Sequence, residues 1–382
     1  MTPTEKILER LIAFPTVSRD SNADLIDYVR NYLGEYGIDS VLTANDEQTK
    51  FNLYAVIGPG RDGGVMLSGH TDVVPVEGQD WTVDPFRMKR GDERLYGRGS
   101  TDMKGFIASV LAMVPRAATA PLGQPIHLAF SYDEEIGCIG VRRMLDMLEV
   151  DRPRPEFCIV GEPTSMHIGI AHKGKTGMIC RCYGVEAHSA LTTKGLNAIY
   201  LASDMITEIR RIQSDMASGR GDDGFSVPHT TLHVGTIRGG TALNIIPSYC
   251  EFKFEIRNLA ADDADALLER IRQAAGDIAA RHRDRFDRAD VRIEVFNRYP
   301  ALEIEPDAKV VDLVGALVGH GDLAKIDFGT EAGLFRNRLG IPVVVCGPGS
   351  MDQGHKPDEF ILRSELDRCD RFLSRLVDRL CQ

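Results

Sequence analysis

Short apolar runs alternate with amphipathic stretches over the first part of the chain. Residues 4–14 and 20–36 carry apolar side chains at helical spacing, and Gly37 follows the second stretch, so both are predicted to be helices. Four later runs are mostly apolar, end in polar or glycine-rich loops, and therefore predict buried strands: NLYAVIG at 52–58, GVMLSGH at 64–70, PIHLAFSYD at 125–133 and PEFCIVGEP at 155–163. Predicted helices at 104–118 and 138–149 separate the later strands. This alternation indicates an α/β domain with helices on both faces of a sheet.

The pattern changes after this first region. The predicted elements are then, in order, a strand at 178–186, a helix at 195–217, strands at 230–237 and 249–257, a helix at 261–282 and a strand at 290–296. This β-α-β-β-α-β order is that of a ferredoxin-like domain. Helical spacing then resumes in VVDLVGALVG, and IPVVVCGPG at 341–349 predicts another buried strand. We therefore predict a catalytic domain formed by residues 1–176 and 295–382, a ferredoxin-like domain inserted at 177–294, and a hinge at KGKTG, residues 173–177.

Length and composition fit a folded protein of two domains. The 382 residues exceed the size that one hydrophobic core usually reaches, and the 43% hydrophobic and 26% charged shares are ordinary for a globular protein. A formal net charge of -11, without a cluster of basic residues interleaved with aromatics, argues against nucleic acid as a partner. The run FIASVLAMV at 106–114 is too short to span a bilayer, and the N-terminal segment lacks the apolar core of a signal peptide. We expect no membrane partner.

Eight cysteines are scattered singly along the chain. The only close pair is Cys180 and Cys182, which lie in a predicted strand, and no CxxC pair occurs. Buried thiols in a reducing compartment are therefore expected in preference to zinc ligands or disulfides. A cytoplasmic location is the corresponding prediction.

Five motifs supply two histidines and a set of acids at well-separated points of the chain. They are SGHTDVVP at 68–75, GRGSTDMKG at 97–105, DEEIG at 133–137, GEPT at 161–164 and GHKPDEF at 354–360. Four of them follow predicted strands or lie in the loops after them, and the carboxyl ends of strands are where open α/β sheets bind ligands. Each motif alone would be weak, since a lone histidine or a pair of glutamates is usually structural or solvated. Together they predict a two-zinc hydrolase site.

His70 and Asp72 come directly at the end of one predicted strand. The imidazole nitrogen of His70 suits zinc, although a histidine that only caps a strand end is the alternative. In an extended backbone both side chains project to the same face, so the Asp72 carboxylate is predicted to accept the other ring N–H of His70. A turn-forming aspartate is the alternative for Asp72.

Asp102 lies in the glycine-rich segment GRGSTDMKG. Such segments often bind phosphate, but this one lacks the Walker pattern, and an acid directed into the site would repel phosphate. A carboxylate has two oxygens and can bridge two cations about 3.5–4 Å apart. Asp102 is therefore predicted to be the bridging ligand.

The remaining acids divide into ligands and a base. Glu134 and Glu135 are adjacent and point in different directions, so we assign Glu135 to a metal and Glu134 to general base catalysis. Glu162 in GEPT and His355 in GHKPDEF complete a set of five ligands.

At these residues the chain resembles the M20 metallopeptidase family over nearly its whole length. The resemblance implies that one zinc is bound by His70, Asp102 and Glu162, and the other by Asp102, Glu135 and His355. It also implies that Glu134 is the general base, that Asp72 orients a histidine, and that two zinc ions, which cobalt can replace, serve each subunit. The implied fold is a zinc domain interrupted by a ferredoxin-like lid that commonly forms a homodimer.

The resemblance extends to residues of the inserted domain. His188, in GVEAHSA at 184–190, matches a histidine that polarises the scissile carbonyl, often across the dimer interface, whereas by itself it is only a strand-end histidine. Asn244 in TALNIIPSY and Arg257 in FEIRN match positions that hold the substrate carboxylate. Arg257 could equally be a solvated charge at a strand edge. Thr330, in GTEAGLF at 329–335, is also assigned to substrate binding.

Two segments, GTEAGLF at 329–335 and VVCGPGSMDQGHKPDEF at 344–360, most resemble the branch of the family that deacetylates acetylornithine. The implied reaction is hydrolysis of N2-acetyl-L-ornithine to L-ornithine and acetate in arginine biosynthesis. Glu331 and Asp352 are acids that would favour a cationic substrate side chain if they lie at the mouth of the site. The alternatives are another N-acyl amino acid, succinyl-diaminopimelate or a dipeptide as substrate, or a metal-free binding protein that reuses the fold.

Overall fold

The structure is a computed structural model that describes residues 1–151 and 154–382, which form two compact units. The first unit comprises Met1–Ala171, Leu302–Lys325 and Thr330–Gln382. The second comprises His172–Ala301 and Ile326–Gly329. The predicted inserted domain, residues 177–294, lies inside the longer segment of the second unit.

The elements of both units are numbered along the chain. The helices are α1 (Pro3–Ile12), α2 (Ala23–Glu35), α3 (Lys104–Thr119), α4 (Val141–Asp151), α5 (Ala198–Ala217), α6 (Ala264–Arg283), α7 (Lys309–Val318), α8 (Ala332–Leu339) and α9 (Arg363–Leu380). The strands are β1 (Ser40–Ala44), β2 (Phe51–Ile57), β3 (Val65–His70), β4 (Lys89–Arg90), β5 (Arg94–Tyr96), β6 (Ile126–Ser131), β7 (Phe157–Pro163), β8 (Ile168–His172), β9 (Gly174–Tyr183), β10 (Ala187–His188), β11 (Thr231–Gly239), β12 (Ile245–Ile246), β13 (Tyr249–Asn258), β14 (Asp290–Tyr299), β15 (Leu302–Glu303), β16 (Leu323–Ile326), β17 (Val343–Gly347) and β18 (Phe360–Leu362).

A mixed sheet forms the centre of the first unit. Its strand order is β1-β2-β6-β3-β7-β17-β8-β15, with β16 paired to β8. The central strands β6, β3, β7 and β17 run parallel, whereas β1, β2 and β8 pair antiparallel with their neighbours. Every residue of β3 and β6 is buried, which is why these strands read as continuous apolar runs in the sequence. The predicted α/β fold with a mixed sheet is confirmed.

Helices cover this sheet through apolar stripes. Along α9 the buried side chains recur three or four residues apart, at Leu366, Cys369, Phe372, Leu373, Leu376, Val377 and Leu380. Helix α3 is more apolar because it packs against α1, α9 and the strands β3 and β7. Among the described residues, no helix combines the length and the apolar character that a membrane span requires.

The second unit has the predicted β-α-β-β-α-β order. Strands β9, β11, β13 and β14 form an antiparallel sheet in the order β11-β13-β9-β14, and α5 and α6 pack against it. The buried core includes Cys180, Cys182 and Cys250, and all eight cysteines of the chain are free, as predicted. The sequence pattern missed the two-residue strands β10 and β12, which pair with each other outside the main sheet.

Close packing of β7 on α3 fixes the strand that carries Glu162. A β-carbon added at Gly161 would lie 2.1 Å from ring atoms of Phe106, which is buried in α3. Only glycine allows this approach, because a real β-carbon would displace the ring or the strand. The position of Glu162 therefore depends on the absence of a side chain at the preceding residue.

We predict that Gly161→Ala lowers the free energy of unfolding by about 1–3 kcal/mol, the usual cost of overpacking a core. Gly34→Ala is the matched control, because nothing lies within 4 Å of a β-carbon at that exposed position of α2. The control should raise stability by about 0.5–1 kcal/mol, since alanine favours helix. Urea unfolding followed by circular dichroism measures both variants. Equal midpoints for the two would contradict the packing argument.

Candidate metal centre

Three neighbouring strands of the first unit bring the predicted site residues to one edge of the sheet. His70 is the last residue of β3, Glu162 lies near the end of β7, and Glu134 follows the end of β6. Strands β6, β3 and β7 are adjacent and parallel, so their carboxyl ends meet at the same edge. The loop between β5 and α3 adds Asp102, and the loop between β17 and β18 adds His355.

Two groups of potential ligands share Asp102. In the first group, His70 Nε2 lies 3.1 Å from Asp102 Oδ1 and 3.6 Å from Glu162 Oε1. In the second group, His355 Nε2 lies 3.2 Å from Asp102 Oδ2 and 3.0 Å from Glu135 Oε2. Within each group the ligand atoms all lie within 4.8 Å of one another. The two oxygens of Asp102 thus face different groups, which is the arrangement that a bridging carboxylate requires.

Glu359 fixes the backbone of the loop that carries Asp102. The Glu359 carboxylate accepts hydrogen bonds from three backbone N–H groups, those of Gly99 at 3.0 Å, Thr101 at 2.9 Å and Asp102 at 3.2 Å. Arg98 Nη1 lies 2.7 Å from the same carboxylate, and both side chains are fully buried. A buried charge pair whose carboxylate also accepts three backbone hydrogen bonds holds a defined geometry, so Asp102 sits on a rigid loop.

Asp72 joins the His70 strand to the Glu134 loop. Its carboxylate accepts hydrogen bonds from Ser18 Oγ at 2.7 Å, from the backbone N–H of Glu134 at 3.1 Å and from that of Glu135 at 3.3 Å. These donors occupy the carboxylate, so His70 Nδ1 lies closer to the Asp72 backbone carbonyl, at 2.9 Å, than to the carboxylate, at 3.5 Å. The backbone carbonyl is the nearer acceptor, the Asp72 carboxylate is the ion-pair partner of His70, and the orienting role of that carboxylate stays a prediction.

Burial and crowding of acids dominate the electrostatics of the site. Burial raises the pKa of Glu134 to about 8, an effect that His70 opposes and the nearby acids, Glu331 foremost, reinforce. Burial and the charge of Asp102 raise the pKa of Glu135 to about 8, and both also raise that of Glu162. Raised pKa values of this kind indicate that the positive side chains of the protein do not balance the negative charge of these carboxylates.

The same negative charge favours the protonated form of the second histidine ligand. Hydrogen bonds to Asp102 and Glu135 raise the pKa of His355 to about 10. Glu135 Oε1 is buried and has no hydrogen-bond partner among the described residues. Imidazole and carboxylate donors with excess negative charge and an unpartnered oxygen fit divalent cations such as zinc.

The other predicted site residues occupy varied environments. In the second unit, exposed His188 pairs with Ile245 across the β10-β12 ladder, and the carbonyl of Asn244 accepts the N–H of Ser189 at 3.0 Å, so His188 and Asn244 are neighbours. Arg257 is half-buried, with Nε 2.9 Å from Glu255 and Nη1 3.0 Å from the hydroxyl of Tyr299. Thr330, in the first unit, is buried and accepts the N–H of Ala332 at 3.0 Å. The roles of these four residues stay predictions.

Glu331, whose position the sequence left open, is buried. Its side chain is only 1% exposed and begins α8 beside Ser68 and Ser131, on the strands β3 and β6. Burial raises the pKa of Glu331 to about 7, and hydrogen bonding to the Ser131 hydroxyl opposes that rise. Asp352 is exposed in the loop that carries His355, and its contribution to substrate choice stays a prediction.

Sequence reasoning missed the supporting residues Ser18, Lys50 and Glu359. Lys50 Nζ lies 2.6 Å from Asp133 and also donates to the carbonyl of Ser18, so it ties the residue before Glu134 to the segment that holds Asp72. Glu359 belongs to the motif GHKPDEF, and its position there was the only available signal. Ser18 and Lys50 lie far from every motif, so the sequence gave no signal of their role.

We predict that Ser18→Ala weakens zinc binding about tenfold, because residues that orient metal ligands typically contribute at least that much. Ser364→Ala, an exposed serine at the start of α9, is the control and should bind zinc like the wild type. Competition with a chromophoric chelator measures the affinities. Equal affinities of the two variants would show that Asp72 keeps its position without Ser18.

Comparisons with known proteins agree with this architecture. The sequence pattern of Peptidase family M20/M25/M40 matches residues 66–379. A protein named acetylornithine deacetylase from Photorhabdus laumondii is 32% identical over 100% of this chain and 98% of its own length, and one from Pasteurella multocida is 33% identical over 97% and 96%.

Solved structures share the fold at lower identity. An M20 family metallo-carboxypeptidase from Sulfolobus solfataricus aligns with a TM-score of 0.79 and 16% identity over 100% of both chains. A dinuclear metal binding peptidase of the M20 family from Bacillus subtilis aligns with a TM-score of 0.68 and 18% identity over 98% of this chain and 96% of its own. With the family pattern covering most of its length, this chain belongs to peptidase family M20/M25/M40.

Proposed function

We propose that this protein hydrolyses N2-acetyl-L-ornithine to L-ornithine and acetate, in the cytoplasm, as a step of arginine biosynthesis. Relatives named acetylornithine deacetylase, at 32–33% identity along almost the whole chain, support this choice of substrate. The observation that carries the hydrolytic activity is Asp102, whose two oxygens face separate sets of potential metal ligands.

Two zinc ions per subunit are the proposed cofactors, and cobalt is expected to substitute because it accepts the same ligand types. His70, Asp102 and Glu162 would hold one ion, and Asp102, Glu135 and His355 the other. When bound, zinc supplies a Lewis acid for the amide carbonyl and lowers the pKa of water toward about 7.

Glu134 is the proposed general base. It lies beside the ligands, is 9% exposed, and is anchored by a hydrogen bond from its backbone N–H to Asp72. Its carboxylate would take a proton from the attacking water and return it to the departing amine nitrogen. Burial favours the protonated form that this second step needs.

Residues of the second unit are proposed to bind the substrate. His188 would donate a hydrogen bond to the carbonyl oxygen as negative charge develops there. Asn244 and Arg257 would hold the α-carboxylate, since a planar guanidinium binds carboxylates with two parallel hydrogen bonds. Glu255 Oε1 lies 2.9 Å from Arg257 Nε and would compete with the substrate carboxylate for this guanidinium. Thr330 is also proposed to contact substrate.

A homodimer is proposed for the second unit. Strand β11 is the edge of its sheet, and an unpaired edge favours association. Exposed apolar side chains lie on this strand and near it: Leu191, Tyr200, Ile237, Leu243 and Ile245. Leu243 is fully exposed and lines a cavity of about 760 Å³ with Tyr200 and Ile245. Association of two copies would remove this surface from water.

A different amide substrate is the second candidate, because solved structures with this fold include an aminopeptidase and a metallo-carboxypeptidase. The purified, zinc-loaded protein should be assayed on N2-acetylornithine, acetylmethionine, succinyl-diaminopimelate and a glutamate-terminated dipeptide. We expect the highest kcat/KM on acetylornithine. Preference for another compound would replace the substrate, and inactivity on all four with zinc bound would favour a binding protein.

We predict that Glu134→Gln lowers kcat at least about a hundredfold while the zinc content stays at two per subunit, because general base catalysis contributes roughly that factor or more. Glu303→Gln, an exposed glutamate of β15, is the control and should retain full activity. Steady-state kinetics and metal analysis are the measurements. Substantial activity in Glu134→Gln would remove this residue as the base.

We predict that the protein sediments as a dimer and that Leu243→Glu shifts it to a monomer, since a charge on this surface opposes its burial. Val150→Glu, another exposed apolar position but in the first unit, is the control and should stay dimeric. Analytical ultracentrifugation at micromolar concentration distinguishes the species. A monomeric wild type, or a Leu243→Glu dimer, would contradict the assignment of this surface.

A further inference from the structure

A tight turn follows the proposed base Glu134 and brings Cys138 back to it. The backbone N–H groups of Gly137 and Cys138 donate to the carbonyl of Glu134, at 2.7 and 2.8 Å. Gly137 has φ 116° and Cys138 has φ 55°, so the chain turns through two consecutive left-handed residues. A left-handed cysteine is uncommon and costs about 1 kcal/mol or more, and such strain concentrates at functional sites.

A second contact joins the two side chains. Cys138 Sγ lies 3.3 Å from Glu134 Oε1, and the cysteine is completely buried. Burial raises the pKa of the Cys138 thiol well above its usual value, and Glu134 adds to that rise, so the sulfur carries its proton and donates to the carboxylate. Among the described residues, this is the one hydrogen bond that the Glu134 carboxylate receives.

The turn that presents Cys138 is itself held by α4. Arg142 Nε donates to the carbonyl of Cys138 at 3.1 Å. The backbone of Cys138 is therefore held in place beside Glu134. Because both the backbone N–H and the carbonyl of Cys138 are hydrogen-bonded, its thiol contacts the Glu134 carboxylate from a fixed backbone position.

We propose that Cys138 is a positioning residue for Glu134: its S–H engages Oε1 and leaves Oε2 free to accept and return the proton. A terminal carboxylate rotates easily because its last torsion has broad minima, so one fixed oxygen sets the plane of the group. This inference rests on the proposed function of Glu134 as the base. It adds a residue outside the ligand set and outside the base itself.

Infrared spectroscopy tests the contact without any activity measurement. The S–H stretch of Cys138 is isolated as the difference between wild type and Cys138→Ala, each with zinc bound. We expect a band displaced to low frequency by hydrogen bonding, which returns to the frequency of a free thiol in Glu134→Ala. A band that ignores the Glu134 substitution would overturn the contact.

Kinetics test the consequence. We expect Cys138→Ala to lower kcat about tenfold, the factor associated with one hydrogen bond, with KM changed less than about twofold and zinc content unchanged. Cys138→Ser, which keeps a donor, should recover most of the rate. Cys369→Ala removes another fully buried cysteine, in α9, and should leave kcat unchanged.

Two results distinguish the positioning role of Cys138 from the proposed hydrolytic function. An inactive wild type would end the proposed function, and the infrared band would then decide the contact alone. An active wild type whose Cys138→Ala variant keeps the full kcat, or loses no more than Cys369→Ala, would overturn the positioning role.

Discussion

The carboxylate of Asp102 is the interaction on which the rest of the site depends. Its two oxygens lie 3.1 and 3.2 Å from the nearest ring nitrogens of two histidines that are 285 residues apart in the chain, His70 and His355 (355 − 70). Only a carboxylate whose plane is fixed can serve both sides. Glu359 fixes the loop that carries Asp102. Its carboxylate accepts hydrogen bonds from three backbone N–H groups of that loop and pairs with buried Arg98.

Charge is distributed unevenly around this carboxylate. Two cationic side chains of the region pair with supporting acids, Arg98 with Glu359 and Lys50 with Asp133. The acids that could bind metal, Glu135 and Glu162, have histidines as their ion-pair partners instead. Burying carboxylates without lysine or arginine partners is unfavourable in free energy, and bound cations would remove this electrostatic repulsion. This division separates residues that hold the site from residues that act in it.

Residues next to the motifs contribute to the site in ways that their chemistry alone does not reveal. Glu331 is a buried acid at the start of α8, whereas the sequence left open whether it lies at the mouth of the site. Cys138 looked like one of several inert buried thiols, yet its sulfur contacts the carboxylate of Glu134. In both cases the residue type was compatible with two environments, and only the packing of β3, β6 and their loops selected one.

The sequence by itself determined the main elements and the candidate donors, but not strands such as β1, β8, β10 and β12. Continuous apolar runs predicted the buried strands, and the change of pattern predicted the ferredoxin-like order. The motifs supplied His70, Asp102, Glu135, Glu162 and His355 as candidate ligands, because residue type and position at strand ends are local properties. Tertiary structure decided which Asp102 oxygen faces which group, that the carbonyl of Asp72 rather than its carboxylate is nearest to His70, and that Ser18 and Lys50 support the site. These facts depend on distances between segments far apart in the chain, and a single sequence carries no record of such distances.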